Sequence, residues 1–210
     1  MRILIAGATG KTGRIVANKV QAEGHEPVAL VRKSSDQSVL PEGCETRLGD
    51  MTDLPADIAQ GIDAVVFAAG SGSQTGDDAT LAIDQDGAID LVDKSALSGV
   101  RRFVMLSSKG AEAPDEAPES MQTYLKAKRM ADDHLRAASV SHAILRPVRL
   151  TDEPASGEIA LGNSVNADGK VSREDVADIL TRAAIMETVP FDIAEMSSGD
   201  TSVERAISEV

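Results

Sequence analysis

The residues of this sequence best suited to chemistry are a tyrosine and a lysine that lie four positions apart. Tyr124 is the only tyrosine among 210 residues, and Lys128 follows at the spacing that places two side chains on one helix face. A free phenol loses its proton near pH ~10, and a neighbouring ammonium favours the phenolate. Such a pair can exchange a proton with a substrate oxygen, which is general acid–base chemistry. The alternative is a tyrosine that packs in the core beside an exposed lysine.

A glycine-rich turn near the N-terminus predicts a binding site. Gly7, Gly10 and Gly13 recur at every third position directly after an apolar run. In a strand–turn–helix unit, the first glycine permits the tight turn, the second lets the backbone approach a pyrophosphate, and the third lets the helix pack on the strand. The helix N-terminus adds free N–H groups and partial positive charge. We therefore predict a dinucleotide site here rather than a purely structural turn. The predicted contacts are Gly7, Thr9, Gly10, Lys11, Thr12 and Gly13.

Two adjacent cations follow the second apolar run. Arg32 and Lys33 lie about 20 residues past the glycines, where an NAD site would want an acidic residue for the ribose hydroxyls. A cation there suits a 2′-phosphate instead, so the sequence predicts NADP as cofactor, with NADPH preferred over NADH. The alternative is a solvated strand end. Asp50, followed by Met51, ends the third run and could accept a bond from the adenine amine or cap a helix.

Apolar runs of strand length alternate with longer helical patterns over residues 1–150. The expected strands are Arg2–Ala6, Val28–Val31, Thr46–Gly49, Ile62–Ala69, Arg102–Ser107 and His142–Arg146. The expected helices are Thr12–Glu23, Asp78–Ser98 and Ser120–Ala138. This alternation predicts right-handed crossovers and an α/β fold with a doubly wound, mostly parallel sheet, the Rossmann fold.

The pattern changes after Pro147. Residues 151–170 are polar and glycine-containing, which predicts a loop, while Ser172 predicts a capped helix to Met186. A strand is expected over Phe191–Ala194, and a second capping box, Thr201–Glu204, predicts a terminal helix. We expect one domain over 1–210, with a dinucleotide-binding core over 1–150. Residues 151–210 are expected to form a short C-terminal flap on the substrate side.

Composition excludes several classes of protein. The formal net charge of −13 argues against nucleic acid as a partner. The longest apolar run, Ala64–Ala69, is too short to span a membrane, and the apolar start stops at Gly7 without a cleavage site, so we expect a cytoplasmic protein. The lone Cys44 excludes an internal disulfide, and no metal site is predicted. We expect a monomer or homodimer that binds a small-molecule substrate.

These motifs together resemble the short-chain dehydrogenase/reductase superfamily. The glycine turn, the Ser107–Ser108 pair and Tyr-x-x-x-Lys carry the resemblance, and the glycine spacing with Arg32 resembles the atypical and extended members. The stretches Ala68–Gly72 and Arg146–Pro147 add to it. The resemblance covers about residues 1–150 well, and Ser172–Asp178 and Phe191–Ala206 loosely.

The resemblance implies roles for particular residues. Ser108 aligns with the catalytic serine, Tyr124 with the acid–base and Lys128 with its helper. One departure concerns Asp84, which stands where such proteins often carry Asn, and a carboxylate there would alter a proton relay. The residues implied at the cofactor are Ala68, Ala69, Gly70, Ser107, Tyr124 and Lys128, with Pro147 and Val148 at the nicotinamide.

The resulting expectation is an NADP(H)-dependent oxidoreductase that transfers hydride to a small carbonyl, quinone or flavin-like acceptor. One alternative is a sugar-nucleotide-type epimerase or dehydratase, against which the short C-terminal segment argues. Another is a redox-sensing module that holds NADP without chemistry. The polar stretch Gly70–Gly76 could be a substrate lid or a plain connector.

Overall fold

A nine-stranded sheet forms the centre of the structure, a computed structural model that describes residues 1–70, 76–188 and 190–210. The strands, in chain order, are β1 (Arg2–Ala6), β2 (Glu26–Val31), β3 (Glu45–Leu48), β4 (Ala64–Phe67), β5 (Arg102–Leu106), β6 (Ser141–Pro147), β7 (Arg149–Thr151), β8 (Glu158–Gly162), β9 (Lys170–Ser172), β10 (Ile193–Ser198) and β11 (Thr201–Ser202). β7 and β9 pair separately from the large sheet. Residues 71–75 of the possible lid lie outside the described part of the chain.

Helices cover both faces of this sheet. They are α1 (Gly13–Ala22), α2 (Asp77–Thr80), α3 (Ala88–Leu97), α4 (Glu119–Ala137), α5 (Arg173–Ile185) and α6 (Val203–Ser208). A π-helical segment, Leu81–Gly87, joins α2 to α3. One apolar core lies between the sheet and α1 and α5, and a second between the sheet and α3 and α4. Among the described residues, no helix has the length and apolar character needed to cross a bilayer.

The strand order confirms the predicted fold. It runs β11-β8-β10-β6-β5-β4-β1-β2-β3, and every neighbouring pair from β3 across to β10 is parallel. The direction of winding reverses between β1 and β4, and open α/β sheets bind ligands at such a point, outside the carboxyl ends of the strands.

The C-terminal segment differs from the expectation. The expected loop over 151–170 contains β8, and the expected strand at Phe191–Ala194 is β10, which begins at Ile193 and continues to Ser198. β10 pairs with β6 and β8 pairs with β10, so the segment widens the sheet rather than forming only a flap. The short β8 escaped prediction because Ile159 is its single fully buried residue, which leaves no apolar alternation to detect.

The two predicted capping boxes have different outcomes. The Ser172 Oγ accepts a hydrogen bond from the Asp175 N–H at 3.0 Å, so the cap of α5 is confirmed. Ser202 precedes α6, but its side chain makes no capping hydrogen bond. The predicted capping hydrogen bond is therefore absent, although the predicted terminal helix forms as α6.

Arg102 ties the start of β5 to the end of α5. It is 8% exposed, and its guanidinium donates to the carbonyls of Ala183 at 2.9 Å, Met186 at 3.0 Å and Glu187 at 3.2 Å. The last carbonyls of a helix lack partners within the helix, and a cation at this end also complements the helix dipole. One buried side chain therefore satisfies three acceptors at once.

We expect Arg102→Leu to lower the free energy of unfolding by about 2–4 kcal/mol, because carbonyls would lose their partner inside the protein. Arg101→Leu is the matched control, since Arg101 is exposed and pairs with Asp63 near the surface. Its effect should stay below about 1 kcal/mol. Urea unfolding of both variants measures the difference, and equal losses would contradict this role for Arg102.

Candidate functional site

The carboxyl ends of the parallel strands bring the predicted site residues to one edge of the sheet. The glycine turn follows β1, Arg32 follows β2, Ala68–Gly70 follow β4, and Ser107 follows β5. Pro147 is the last residue of β6. This edge includes the reversal point between β1 and β4, so the topology gathers residues that are far apart in sequence.

The glycine turn packs against the turn that follows β4. Gly7 has φ +79°, and a Cβ added to it would lie 2.7 Å from the carbonyl oxygen of Ala68. A Cβ on Gly13 would lie 2.1 Å from the carbonyl oxygen of Gly7. Gly10 is exposed, and the nearest atom to its added Cβ is the Gly7 oxygen at 3.1 Å. The fold itself requires Gly7 and Gly13, whereas Gly10 leaves an open backbone surface that fits a pyrophosphate at the start of α1.

Neighbouring residues complete this end of the site. Thr9 lies in the turn, and Thr12 is buried directly before α1. The Lys11 Nζ pairs with the exposed Asp152 at 2.6 Å, and Asp152 also pairs with Arg173 at 2.7 Å. The hydrogen bond from Lys11, with the charges of both cations, lowers the pKa of Asp152. The phosphate turn thus contacts the segment that follows β7.

Arg32 and Lys33 are exposed at the end of β2. Neither side chain forms a hydrogen bond or ion pair with any described residue, so both cations remain available to a phosphate. Asp50 lies nearby: hydrogen bonds from Thr52 N at 3.0 Å and Thr52 Oγ1 at 2.8 Å, with the charge of Arg32, lower its pKa. Asp50 therefore caps a turn, and Met51 packs against the second core.

Tyr124 and Lys128 lie next to each other on one face of α4. The Lys128 Nζ lies 5.7 Å from the centre of the Tyr124 ring and 5.6 Å from that of Phe67. It pairs with the Asp84 Oδ1 at 3.0 Å and donates to the Leu106 carbonyl at 3.3 Å. Lys128 is 3% exposed and Asp84 1%. The alternative interpretation, in which Lys128 is exposed, is therefore wrong.

Burial and neighbouring charges act in opposite directions on Lys128. Burial disfavours the ammonium, but the phenol of Tyr124 and the carboxylates of Asp84 and Asp132 outweigh it and raise the pKa of Lys128. The lysine therefore stays charged at neutral pH. The Tyr124 hydroxyl makes no hydrogen bond to any residue that the structure describes, and its side chain is half-buried.

The two serines after β5 point to different partners. Ser107 is 3% exposed and donates to the Asp132 Oδ2 at 2.8 Å. Ser108 is half-buried, and its hydroxyl donates to the Lys109 carbonyl at 3.3 Å. The same Asp132 oxygen accepts from Arg146 Nε at 3.0 Å and pairs with Nη2 at 2.9 Å. The structure thus keeps Ser108 nearer the surface and ties Ser107 to a buried ion pair.

Sequence reasoning missed Asp132, although a signal was present. Asp132 lies four residues after Lys128 on the face of α4 that carries Tyr124 and Lys128. It is fully buried, and burial raises its pKa even though Arg146 and Ser107 act to lower it. An acidic residue that continues the buried face of a helix indicates a paired charge inside the protein.

The other predicted residues line or support this edge. Ala68 and Ala69 are half-buried and Gly70 is exposed, with its added Cβ 3.2 Å from the Asp84 Oδ1. The Pro147 carbonyl accepts from Lys109 N at 2.9 Å. Val148 is 6% exposed and packs in the core between the sheet and α1 and α5, and its N–H donates to the Met196 carbonyl at 2.9 Å.

Comparisons with known proteins agree with this geometry. A family model described as NAD(P)H-binding matches residues 7–186. A Bacillus subtilis protein described as an uncharacterized sugar epimerase is 32% identical over 100% of both chains. A solved Bacillus halodurans structure described as a NAD-dependent epimerase/dehydratase is 34% identical with a TM-score of 0.93 over 100% of both chains. An oxidoreductase of Lactococcus lactis is 25% identical with a TM-score of 0.84, over 100% of this chain and 96% of the other.

We expect Gly10→Val to abolish or strongly weaken NADPH binding, by at least about tenfold in Kd, because a branched side chain would cover the open backbone surface. The fold should survive, since the glycine is exposed. Gly162→Val is the control, because nothing lies within 4 Å of its added Cβ. Fluorescence titration of both variants, with circular dichroism to verify folding, tests the prediction. Native affinity in folded Gly10→Val would assign the turn another purpose.

Proposed function

Because the chain belongs to the NAD(P)H-binding family, we propose that it is an NADPH-dependent oxidoreductase that reduces a small carbonyl, quinone or flavin-like acceptor. The observation that carries the proposal is the buried Lys128 ammonium, 5.7 Å from the ring of Tyr124 at the carboxyl edge of the sheet. A buried ammonium beside a phenol supports proton exchange with a substrate oxygen.

The cofactor would be held by residues that the fold already arranges. The open backbone at Gly10 and the N-terminus of α1 would bind the pyrophosphate, and Arg32 and Lys33 the 2′-phosphate. Ala68–Gly70 would line the dinucleotide. When bound, the reduced nicotinamide supplies the hydride.

Tyr124 and its neighbours would manage the proton. The Tyr124 hydroxyl is free of hydrogen bonds to the described residues, so it can bond to an acceptor oxygen. Lys128, together with its partner Asp84, would set how readily the phenol gives up its proton. Ser108, whose hydroxyl is nearer the surface than that of Ser107, would hold the acceptor oxygen. Water re-protonates Tyr124 after each turnover.

A sugar epimerase is the second candidate, and one observation favours it. The Bacillus subtilis relative described as a sugar epimerase matches this chain over 100% of both lengths. A short C-terminal segment therefore does not separate the chain from a relative with that description. An epimerase returns hydride to its substrate, so it consumes no reduced cofactor, whereas a reductase oxidises NADPH in step with its acceptor.

We expect NADPH to bind more tightly than NADH and Arg32→Glu to reverse the order. A charge-assisted contact is worth about 1.5–3 kcal/mol, which corresponds to roughly ten- to hundredfold in Kd. Arg205→Glu is the control, because it makes the same charge reversal at an exposed residue of α6. Calorimetry with both cofactors measures the ratio. Equal affinities in the native protein would refute the preference for NADP.

We expect Tyr124→Phe to reduce turnover by roughly 10²–10⁴-fold with NADPH affinity nearly kept, because only the proton donor is lost. Lys128→Met should reduce turnover and also weaken NADPH binding, since the ammonium would serve both the phenol and the cofactor. Lys126→Met is its control, because Lys126 is exposed on the same helix. Stopped-flow oxidation of NADPH, with an acceptor found in a carbonyl and quinone panel, measures both effects.

One outcome of that experiment would redirect the assignment. If Tyr124→Phe turns over at the native rate, the phenol is not the proton donor. If no acceptor in the panel oxidises NADPH while binding remains tight, the redox-sensing module becomes the better interpretation. Interconversion of a sugar nucleotide without net NADPH consumption would instead favour the epimerase.

A further inference from the structure

Asp84 is the residue whose contacts have the most consequence for Tyr124. Its Oδ1 lies 3.0 Å from the Lys128 Nζ, and the two side chains are 0% and 4% exposed. Two buried groups at this distance interact more strongly than an exposed pair does, because the surrounding protein screens charge less than bulk solvent. The position that often carries Asn in the proteins this sequence resembles here carries Asp84, in contact with a buried lysine.

The local backbone holds Asp84 in this place. Asp84 lies within the π-helical segment Leu81–Gly87. π-Helical segments are rare in proteins, and many of those that occur lie at functional sites. A Cβ on Gly87 would lie 2.5 Å from the Met51 carbonyl oxygen, so the segment packs closely on the turn after β3. Its other side faces α4, which carries Lys128.

The charge of Asp84 changes what Lys128 does to the phenol. An isolated ammonium would stabilise the phenolate and make Tyr124 a ready base. A Lys128–Asp84 pair has no net charge, so the phenol senses a dipole whose effect is much weaker than that of a single charge. Asp132 on α4 also acts on Lys128 but is itself paired with Arg146.

We propose that Asp84 is a positioning residue that holds Lys128 and cancels most of its charge at Tyr124, so that the phenol keeps its proton and the site favours reduction over oxidation. In that direction the acceptor oxygen takes the proton of the phenol, the acceptor carbon takes the hydride of NADPH, and water re-protonates the phenolate. Oxidation of an alcohol would need the phenolate at the start. The inference rests on the proposed function, since it concerns the direction of the same reaction.

The composition of the chain allows a direct test. Tyr124 is the only tyrosine, and there is no tryptophan, so the near-ultraviolet absorbance of tyrosinate reports on this phenol alone. The titration needs neither cofactor nor acceptor. Its result is therefore independent of whether the protein reduces a carbonyl, and Tyr124→Phe, which should lose the signal entirely, serves as the blank.

Asp84→Asn should move the titration midpoint to lower pH by about one unit or more, because the ammonium then acts on the phenol without compensation. Asp86→Asn is the matched control. It removes the same charge two residues further along the same segment, but from an exposed side chain, and it should leave the midpoint within about 0.3 units. An unchanged or raised midpoint in Asp84→Asn would overturn the proposal.

A double variant keeps the test decisive if the buried ammonium of Asp84→Asn prevents folding. Asp84→Asn with Lys128→Met replaces both charges by neutral groups, which proteins tolerate better than the loss of one partner. If the pair is neutral toward the phenol, the midpoint should stay within about half a unit of the native value. A midpoint well above the native value would show that Lys128 acts as an uncompensated charge, and the proposal would fail.

Discussion

The close contact between two backbone turns, one after β1 and one after β4, is the constraint on which this site depends. A side chain at Gly7 would clash with the Ala68 carbonyl oxygen, and a side chain at Gly13 would clash with the Gly7 carbonyl oxygen. This contact lets α1 start directly at the reversal point of the sheet, with its N-terminal N–H groups at the carboxyl edge. The turn after β4 continues to Gly70, whose backbone lies beside Asp84, so the same contact connects the glycine turn with the Asp84–Lys128 pair.

The site also buries more charge than stability alone would favour. Lys128–Asp84 and Arg146–Asp132 are ion pairs in which every side chain is at most 10% exposed. Replacing such pairs by apolar residues of similar volume is often neutral or stabilising, because charges lose hydration when they are buried. Lys128 of the first pair lies 5.7 Å from the centre of the Tyr124 ring, so a role at the candidate site explains that pair better than packing does. Arg102, in contrast, satisfies helix carbonyls far from this edge and has a structural role.

Local patterns explain what could be predicted from the sequence. Apart from the polar β3, the strands up to β6 are short apolar runs between turn signals. The Tyr124–Lys128 spacing places both residues on one face of α4, so these predictions needed no knowledge of distant contacts. The contact between Lys128 and Asp84 joins two helices that are distant in sequence, and a π-helical register cannot be read from residue spacing. The strand β8 was not predicted because Ile159 is its single fully buried residue, and Asp132 was not predicted because its partner Arg146 lies on another element.

In a chain this acidic, cations at the carboxyl edge that remain unpaired are informative about phosphate binding. Acidic residues outnumber basic ones by 34 to 21, so an average cation has many carboxylates available as partners. Lys11 follows this rule and pairs with Asp152. Arg32 and Lys33 have no such pair among the described residues, although Asp50 is close enough for Arg32 to affect its pKa. The net charge of the chain repels an anionic dinucleotide at long range, but this repulsion is screened beyond about 8 Å in physiological salt. Recognition of a phosphate therefore depends on the cations left unpaired within that distance.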